Sequence, residues 1–202
     1  VFHRNGHRPW DGNGPMRIVT HHWGAHRMKG FDVYLALDTL LDDPTWRQRV
    51  EFTYIGNVAA GVSFRNTRVL PPLADEPLAA ELRQHHAYIT ASINEPAGLH
   101  HIEGALCGLP LLYRRSGALP EYCEGFGLAF DGVDDFAIAI ERMRQEYDTW
   151  LGTLDAYSHS DTRMVREYAA LFERLDNERR AIVARRHIWR NPLLIAANMI
   201  PF

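Results

Sequence analysis

Cysteine is scarce in this sequence: Cys107 and Cys123 are the only two in 202 residues. That rules out a disulfide scaffold and fits a reducing compartment. Long apolar runs are absent too, and none approaches the ~18 residues that a membrane-spanning helix requires. Basic blocks are missing and the formal net charge is −3, so nucleic acid is not expected as a partner. The opening residues, V-F-H-R-N-G-H-R-P, have no apolar stretch of the kind a secretory signal carries. They also lack an initiating Met, which reads as the start of a fragment or a processed chain. There is no internal repeat and no low-complexity tract. The expected location is cytoplasmic.

What is present suits one domain of ordinary size with some extra helix, since 46% of the residues are hydrophobic. Residues 1–15 are rich in Gly, Asn, Pro and His without periodicity and read as a linker from a preceding domain. Short apolar runs that read as strands (16–20, 50–55, 67–70, 87–93, 109–113 and 127–130) then alternate with helical spacing at 31–41, 76–84, 98–107, after Gly117 and at 134–151. The segment 21–30 between the first strand and helix reads as a polar loop. Such alternation predicts an α/β fold, a doubly wound parallel sheet covered on both faces. Ligands of such sheets bind beyond the carboxyl ends of the strands. From 152 onward the character changes. Residues 162–187 read as one charged helix with a single buried stripe through Val165, Tyr168, Leu171, Phe172 and Leu175, and Trp189 to Phe202 is apolar.

The most informative stretch is S-I-N-E-P-A-G-L-H-H-I-E-G-A-L-C-G-L-P, Ser92 to Pro110. A strand breaks at Asn94-Glu95-Pro96, because proline cannot continue a ladder and disfavours helix in the residue before it. Helical spacing then starts near Gly98 and runs through Leu99, Ile102, Ala105 and Leu106 until Gly108-Leu109-Pro110. Strand, Gly-containing turn and helix bring free backbone N–H groups to one point in a crevice. Glu95 and Glu103 flank that point. An anion surrounded by sugar hydroxyls suits the arrangement.

This stretch resembles the Glu-x7-Glu motif of the donor-binding half of retaining GT-B glycosyltransferases, E-x-F-G-L-x-x-x-E-A-x-x-x-G-x-P. Lys29-Gly30 is similar to that family's K-G before its first helix, and Gly117-Ala118-Leu119-Pro120-Glu121 to its G-G-x-P-E turn. The resemblance covers 16–151 and implies a Rossmann-like, nucleotide-sugar-binding domain followed by C-terminal helices and an apolar tail over 152–202. It implies Glu95 as the catalytic-site carboxylate on the donor sugar and Glu103 as the group holding the ribose diol. Backbone amides at Gly98 and Leu99, the turn at Gly117 and the cation Lys29 then serve the diphosphate, with no metal and no cofactor beyond the nucleotide-diphosphate sugar itself. Arg27 stands in as second cation, because Gly24 occupies the position where the family carries Arg. Ala97 replaces an aromatic, which enlarges the pocket. The implied activity is retaining hexosyl transfer to an unknown acceptor, with the family's first domain, the chain's expected partner, absent from this sequence. A nucleotide-sugar epimerase and a non-catalytic sugar-nucleotide module share this architecture and stay open as alternatives.

Other residues have plainer readings. Glu103, on a helix with apolar neighbours, needs a partner such as ribose or Arg. The pairs His21-His22, His85-His86 and His100-His101 lack a His-Glu-x-x-His layout, and adjacent histidines point different ways, so no metal site is expected. His100 and His101 read as surface and groove positions. Cys107 reads as a core thiol, and Trp23, Trp150 and Trp189 as packing aromatics. The tail from Pro192 is expected to pack on the absent domain, with peripheral membrane contact, helped by Arg185, Arg186 and Arg190, the weaker reading.

Overall fold

The computed structural model describes residues 1–185, which fall into two compact units, Val1–Ser158 and a second that begins at His159. Expectations for the helix beyond Arg185, for Trp189 and for the apolar tail lie outside the described residues. Six strands form one sheet in the first unit: β1 Met16–His22, β2 Val50–Gly56, β3 Arg68–Leu70, β4 Ala87–Thr90, β5 Leu111–Arg114 and β6 Gly127–Phe130. Their order is β3-β2-β1-β4-β5-β6, and every pairing is parallel. The chain winds outward from β1 to β3, then returns to lay β4 on the other side of β1. The expected α/β fold, a doubly wound Rossmann-like sheet, is therefore present. Its topological switch lies between the ends of β1 and β4, where such sheets open a crevice.

Period-two alternation explains why both faces are covered. Met16 and Ile18 of β1, with Ala87 and Ile89 of β4, enter one core with Phe31, Tyr34 and Leu37 of α1 (Phe31–Leu40). Phe136, Ile140 and Met143 of α6 (Phe136–Gln145) join the same core. Val19 and Tyr88 point the other way, into a core with Leu78 and Leu82 of α3 (Asp75–Leu82). That second core also takes Ala105 of α4 (His100–Leu106) and Leu119 of α5 (Leu119–Cys123). Each fully buried Leu or Phe contributes about 1.5–3 kcal/mol. Cys107 lies wholly within the second core, where burial pushes its thiol up to about 11.

Several boundaries differ from the expectation, each for a local reason. The fourth strand ends at Thr90 rather than Ile93. Beyond it Ala91 N–H donates to the Tyr34 hydroxyl (3.0 Å) and Ile93 N–H to Met28 O (2.8 Å), so the ladder loses its donors. The segment 134–151 forms two helices, α6 and α7 (Tyr147–Thr153), separated at Glu146. Tyr147 turns inward there, and its hydroxyl donates to His86 O (3.2 Å) while accepting from Trp10 N–H (3.2 Å). Trp10 packs edge-on against the Tyr147 ring at 5.8 Å, and Arg4 meets Asp155 at 2.5 Å, so residues 1–15 include contacts with the rest of the first unit. A further short helix, Pro44–Arg47, escaped the periodicity because it is one turn long; Asp43 caps it by accepting from Thr45 N–H (2.8 Å).

In the second unit, Asp161–Asn177 and Arg179–Arg185 form two helices that divide at Glu178. Ser160 caps the first, accepting from Arg163 N–H at 3.2 Å. The stripe expected to be buried is not: no residue of Asp161–Asn177 is buried among the described residues, and Val165, Tyr168 and Phe172 are exposed.

One buried carboxylate organises the approach to β3. Asp38 of α1 accepts from the N–H groups of Arg65 (2.9 Å), Asn66 (2.9 Å) and Thr67 (2.8 Å), and from the Thr67 hydroxyl (2.6 Å). Burial opposes its charge, but these donors prevail and hold the carboxyl below its usual range. Asp38→Ala strands three N–H groups, and a loss of about 2–3 kcal/mol is expected in a urea titration. A loss below about 1 kcal/mol would contradict this account.

Candidate functional site

The crevice at the switch point has a volume of about 450 Å³ and is walled by the ends of β1 and β2, the turn before α3 and the start of α4. His21, Lys29, Gly98, Leu99 and Glu103 line it. A second hollow of about 280 Å³ lies beside it, lined by His26, Met28, Lys29, Asn94, Glu95 and Pro96. Lys29 belongs to both linings. The two carboxylates therefore face adjoining spaces with one lysine between them.

Local geometry explains how Lys29 reaches that position. Residues Arg27–Lys29 form a short 3-10 turn inside the segment expected to be loop, and it closes on Gly30 in the left-handed region (φ 85°). A methyl group on Gly30 would lie 2.2 Å from Ala91 O, so only glycine permits this close approach to the end of β4. Lys29 Nζ donates to Glu95 Oε2 at 2.9 Å, and both side chains are largely buried. Glu95 is held from behind. Ala118 N–H donates to Glu95 O (2.8 Å), Asn94 N–H donates to the Ser116 hydroxyl (2.8 Å), and Gly117, at φ 61°, passes so close that a Cβ would meet Glu95 O at 2.3 Å. Gly98 has a similar constraint, for a Cβ would approach the Glu95 carboxyl carbon to 2.8 Å and the His100 ring to 2.7 Å.

Glu103 projects from α4 toward β1, and its partner is His21, not an arginine. His21 Nε2 lies 2.7 Å from Glu103 Oε2. Gly104 makes room behind this pair, since a Cβ there would lie 2.6 Å from the Tyr88 ring. Tyr88 crosses under α4, and its hydroxyl accepts from His21 N–H at 3.0 Å. The opposite face of β1 carries a parallel arrangement, with His22 Nε2 2.7 Å from the Tyr34 hydroxyl. Between them His100 Nε2 meets the Thr90 hydroxyl at 2.8 Å. Burial, reinforced by His21 and Lys29, holds the His22 imidazole well below its usual range, and burial with His22 and His101 does the same to His100.

The residues named from sequence divide clearly. Lys29, Gly98, Leu99 and Glu103 come together at the crevice, and Glu95 joins them through Lys29. Gly117 serves the Glu95 backbone rather than the crevice wall. Arg27 is exposed and lines neither space. Three expectations need correction. His21 and His22 belong to β1, not to a loop, because the ladder with β2 runs on to His22↔Gly56. His100 and His101 are buried rather than at the surface, because α4 lies close on the sheet, although His100 does line the crevice. Trp23 is no packing aromatic: it is 74% exposed at the crevice rim, although Trp150 is partly buried against the core. Among the described residues no three His, Cys, Asp or Glu side chains converge as metal ligands, and no helix is long and apolar enough to cross a membrane.

The fold matches solved structures. The pneumococcal O-GlcNAc transferase GtfA, in complex with UDP and GlcNAc, superposes with a TM-score of 0.63 at 16% identity, over 84% of this chain and 37% of that one. Sucrose-phosphate synthase from Thermosynechococcus elongatus gives 0.59 at 18% identity, over 85% of this chain and 51% of that one. The α,α-trehalose 6-phosphate synthase from Burkholderia multivorans gives 0.61 at 14% identity, over 85% and 45%. The fold is the Rossmann-like half of the GT-B architecture. At these identities the likeness is one of fold. This GT-B half spans from about a third to a half of the length of those structures. No family model matches the sequence, and no curated protein matches it.

The polar residues that periodicity overlooked, His21, Tyr88 and Thr90, sit on the face of β1 and β4 turned toward α4, and His100 meets them from the start of that helix. The signal was available in M-R-I-V-T-H-H. If the strand is carried two residues further, alternation sets His21 with Val19 and His22 with Ile18 and Thr20.

Proposed function

We propose that this chain is the donor-binding domain of a retaining glycosyltransferase, and that it binds a nucleotide-diphosphate sugar for hexosyl transfer to an acceptor. One observation carries the reading: Lys29 stands between Glu103 in the larger space and Glu95 in the smaller, beyond the carboxyl ends of a parallel sheet. The nucleoside fits the 450 Å³ crevice, with Glu103 accepting from ribose hydroxyls. The diphosphate then lies at Lys29, and the sugar faces Glu95. An ammonium has three donors, so Lys29 can keep its 2.9 Å bond to Glu95 while meeting phosphate oxygens. Charge developing on the departing diphosphate is stabilised by that fixed cation. The acceptor site belongs to a partner domain, in keeping with the share of the GT-B structures that this chain spans. Domain limits of 16–151, with 1–15 as the approach from that partner, form part of the proposal.

The test is calorimetry with UDP, GDP and ADP on the 202-residue chain. Millimolar or tighter binding of one nucleotide is expected. Glu103→Ala is expected to weaken it by about 10- to 100-fold, the value of one or two hydrogen bonds to a charged group. A folded sample that binds none of the three at millimolar concentration would refute the reading.

A further inference from the structure

Glu103 does not stand free at the crevice wall; one of its oxygens is already taken. We infer that His21, held by Tyr88, is a positioning residue that orients Glu103 and thereby sets discrimination for ribose over 2′-deoxyribose. This rests on the proposed nucleotide site and names a device within it.

The carboxylate decides which ring nitrogen carries a proton: an ionised oxygen only accepts, so the Nε2 that faces it donates. The Tyr88 hydroxyl oxygen accepts the His21 backbone N–H at 3.0 Å, which leaves its own proton to donate. The His21 Nδ1 lies 3.1 Å away and the His21 carbonyl oxygen 3.3 Å away. Nε2–H donates to Glu103 Oε2 at 2.7 Å, and the Tyr88 hydroxyl steadies the ring from the Nδ1 side. This bond occupies one carboxylate oxygen of Glu103. Oε1 accepts no hydrogen bond from the described residues. The Tyr88 hydroxyl and the His21 ring are buried, the ring side chain being 10% exposed, while Glu103 is 23% exposed. The anchor is dry and the reading end is wet.

A glutamate torsion next to its carboxylate is broad, so without an anchor the two oxygens sweep through many orientations. A vicinal diol needs a carboxylate in one orientation to accept from both hydroxyls. His21 supplies that orientation before ligand arrives. Its loss costs the affinity that pre-organisation of one side chain supplies, roughly 2- to 10-fold. A 2′-deoxynucleotide offers only one hydroxyl and loses far less.

The experiment compares the tightest-binding of UDP, GDP and ADP with its 2′-deoxy counterpart on the 202-residue chain and two variants. His21→Ala is expected to weaken the ribonucleotide about 5- to 10-fold and the deoxynucleotide less than twofold, so the ratio collapses. His21→Gln, which offers an amide donor close to the Nε2 position, is expected to restore most of the ratio. Thermal melting of each variant accompanies the titrations. Where His21→Ala fails to fold, nitrogen-edited NMR of the unmodified chain decides: the ribonucleotide should shift the His21 Nε2–H resonance more than the deoxynucleotide. Nucleotide binding with an unchanged ratio in folded His21→Ala, or equal NMR shifts from both ligands, overturns the role of His21 alone. No binding of any nucleotide overturns the site itself.

Discussion

Acidification from pH 7.5 to 5 is expected to destabilise the first unit by several kcal/mol. Four of its buried histidines, His22, His85, His86 and His100, are held neutral by their surroundings. Burial lowers His85 to about 4 and, with the charge of Arg17, His86 to about 3; His22 and His100 lie well below the usual range. Geometry supports the direction for His86, whose Nδ1 accepts Arg17 N–H at 3.0 Å and must stay unprotonated to do so. In the unfolded chain a histidine titrates near ~6.5. The folded values are depressed, so below about pH 6.5 the unfolded state binds more protons, and stability present at higher pH is lost as the pH falls toward the folded values. Each histidine contributes up to about 1.4 kcal/mol per pH unit. His85 and His86 together remove roughly 4 kcal/mol by pH 5, against a typical total of about 5–15 kcal/mol, and His22 and His100 act in the same direction. Urea midpoints at pH 7.5, 6.5 and 5.5 measure this directly. A midpoint that stays level across that range contradicts neutral burial of these rings.

Gly30→Ala is expected to damage both stability and the site. The residue sits at φ 85°, and its added methyl would lie 2.2 Å from Ala91 O and 2.5 Å from Ala91 Cβ. The left-handed backbone costs about 1–2 kcal/mol. Overpacking against backbone adds about 1–3 kcal/mol. A combined loss of about 2–5 kcal/mol should lower the melting temperature by about 4–20 °C. Relief of the clash moves α1 away from β4 and takes Lys29 with it, so nucleotide binding should vanish even in the folded fraction. Gly61→Ala is the control, because Gly61 also has positive φ (79°) but nothing within 4 Å. If the two variants melt alike, the close approach at Ala91 is not what requires glycine at position 30.

The architecture was legible because strand and helix periods alternate cleanly and Gly, Pro and Asn mark the turns. The Glu95–Glu103 spacing with Lys29 was legible for a different reason, as a pattern of chemistry rather than of hydrophobicity. What hid was polar and buried. His21 looked like the start of a loop because a histidine at a strand end carries no apolar signal, and only its pairing with Ile55 keeps it in the sheet. Tyr88 counted as one more apolar residue, although its hydroxyl is what orients His21. The break at Glu146 was equally silent, since the need to bury Tyr147 against residues 86 and 10 is a tertiary demand. Arg27 shows the converse: a charge near the right place in sequence need not point into the crevice.

The outermost strand, β3, is only three residues long, and Arg68 and Val69 on it are exposed. Pro71 and Pro72 follow it directly and have no amide hydrogen to offer. A neighbouring molecule therefore finds too few donors along this margin to add a strand of its own. The sheet ends there by design of its chemistry, and crowding should not drive edge-to-edge growth from that side.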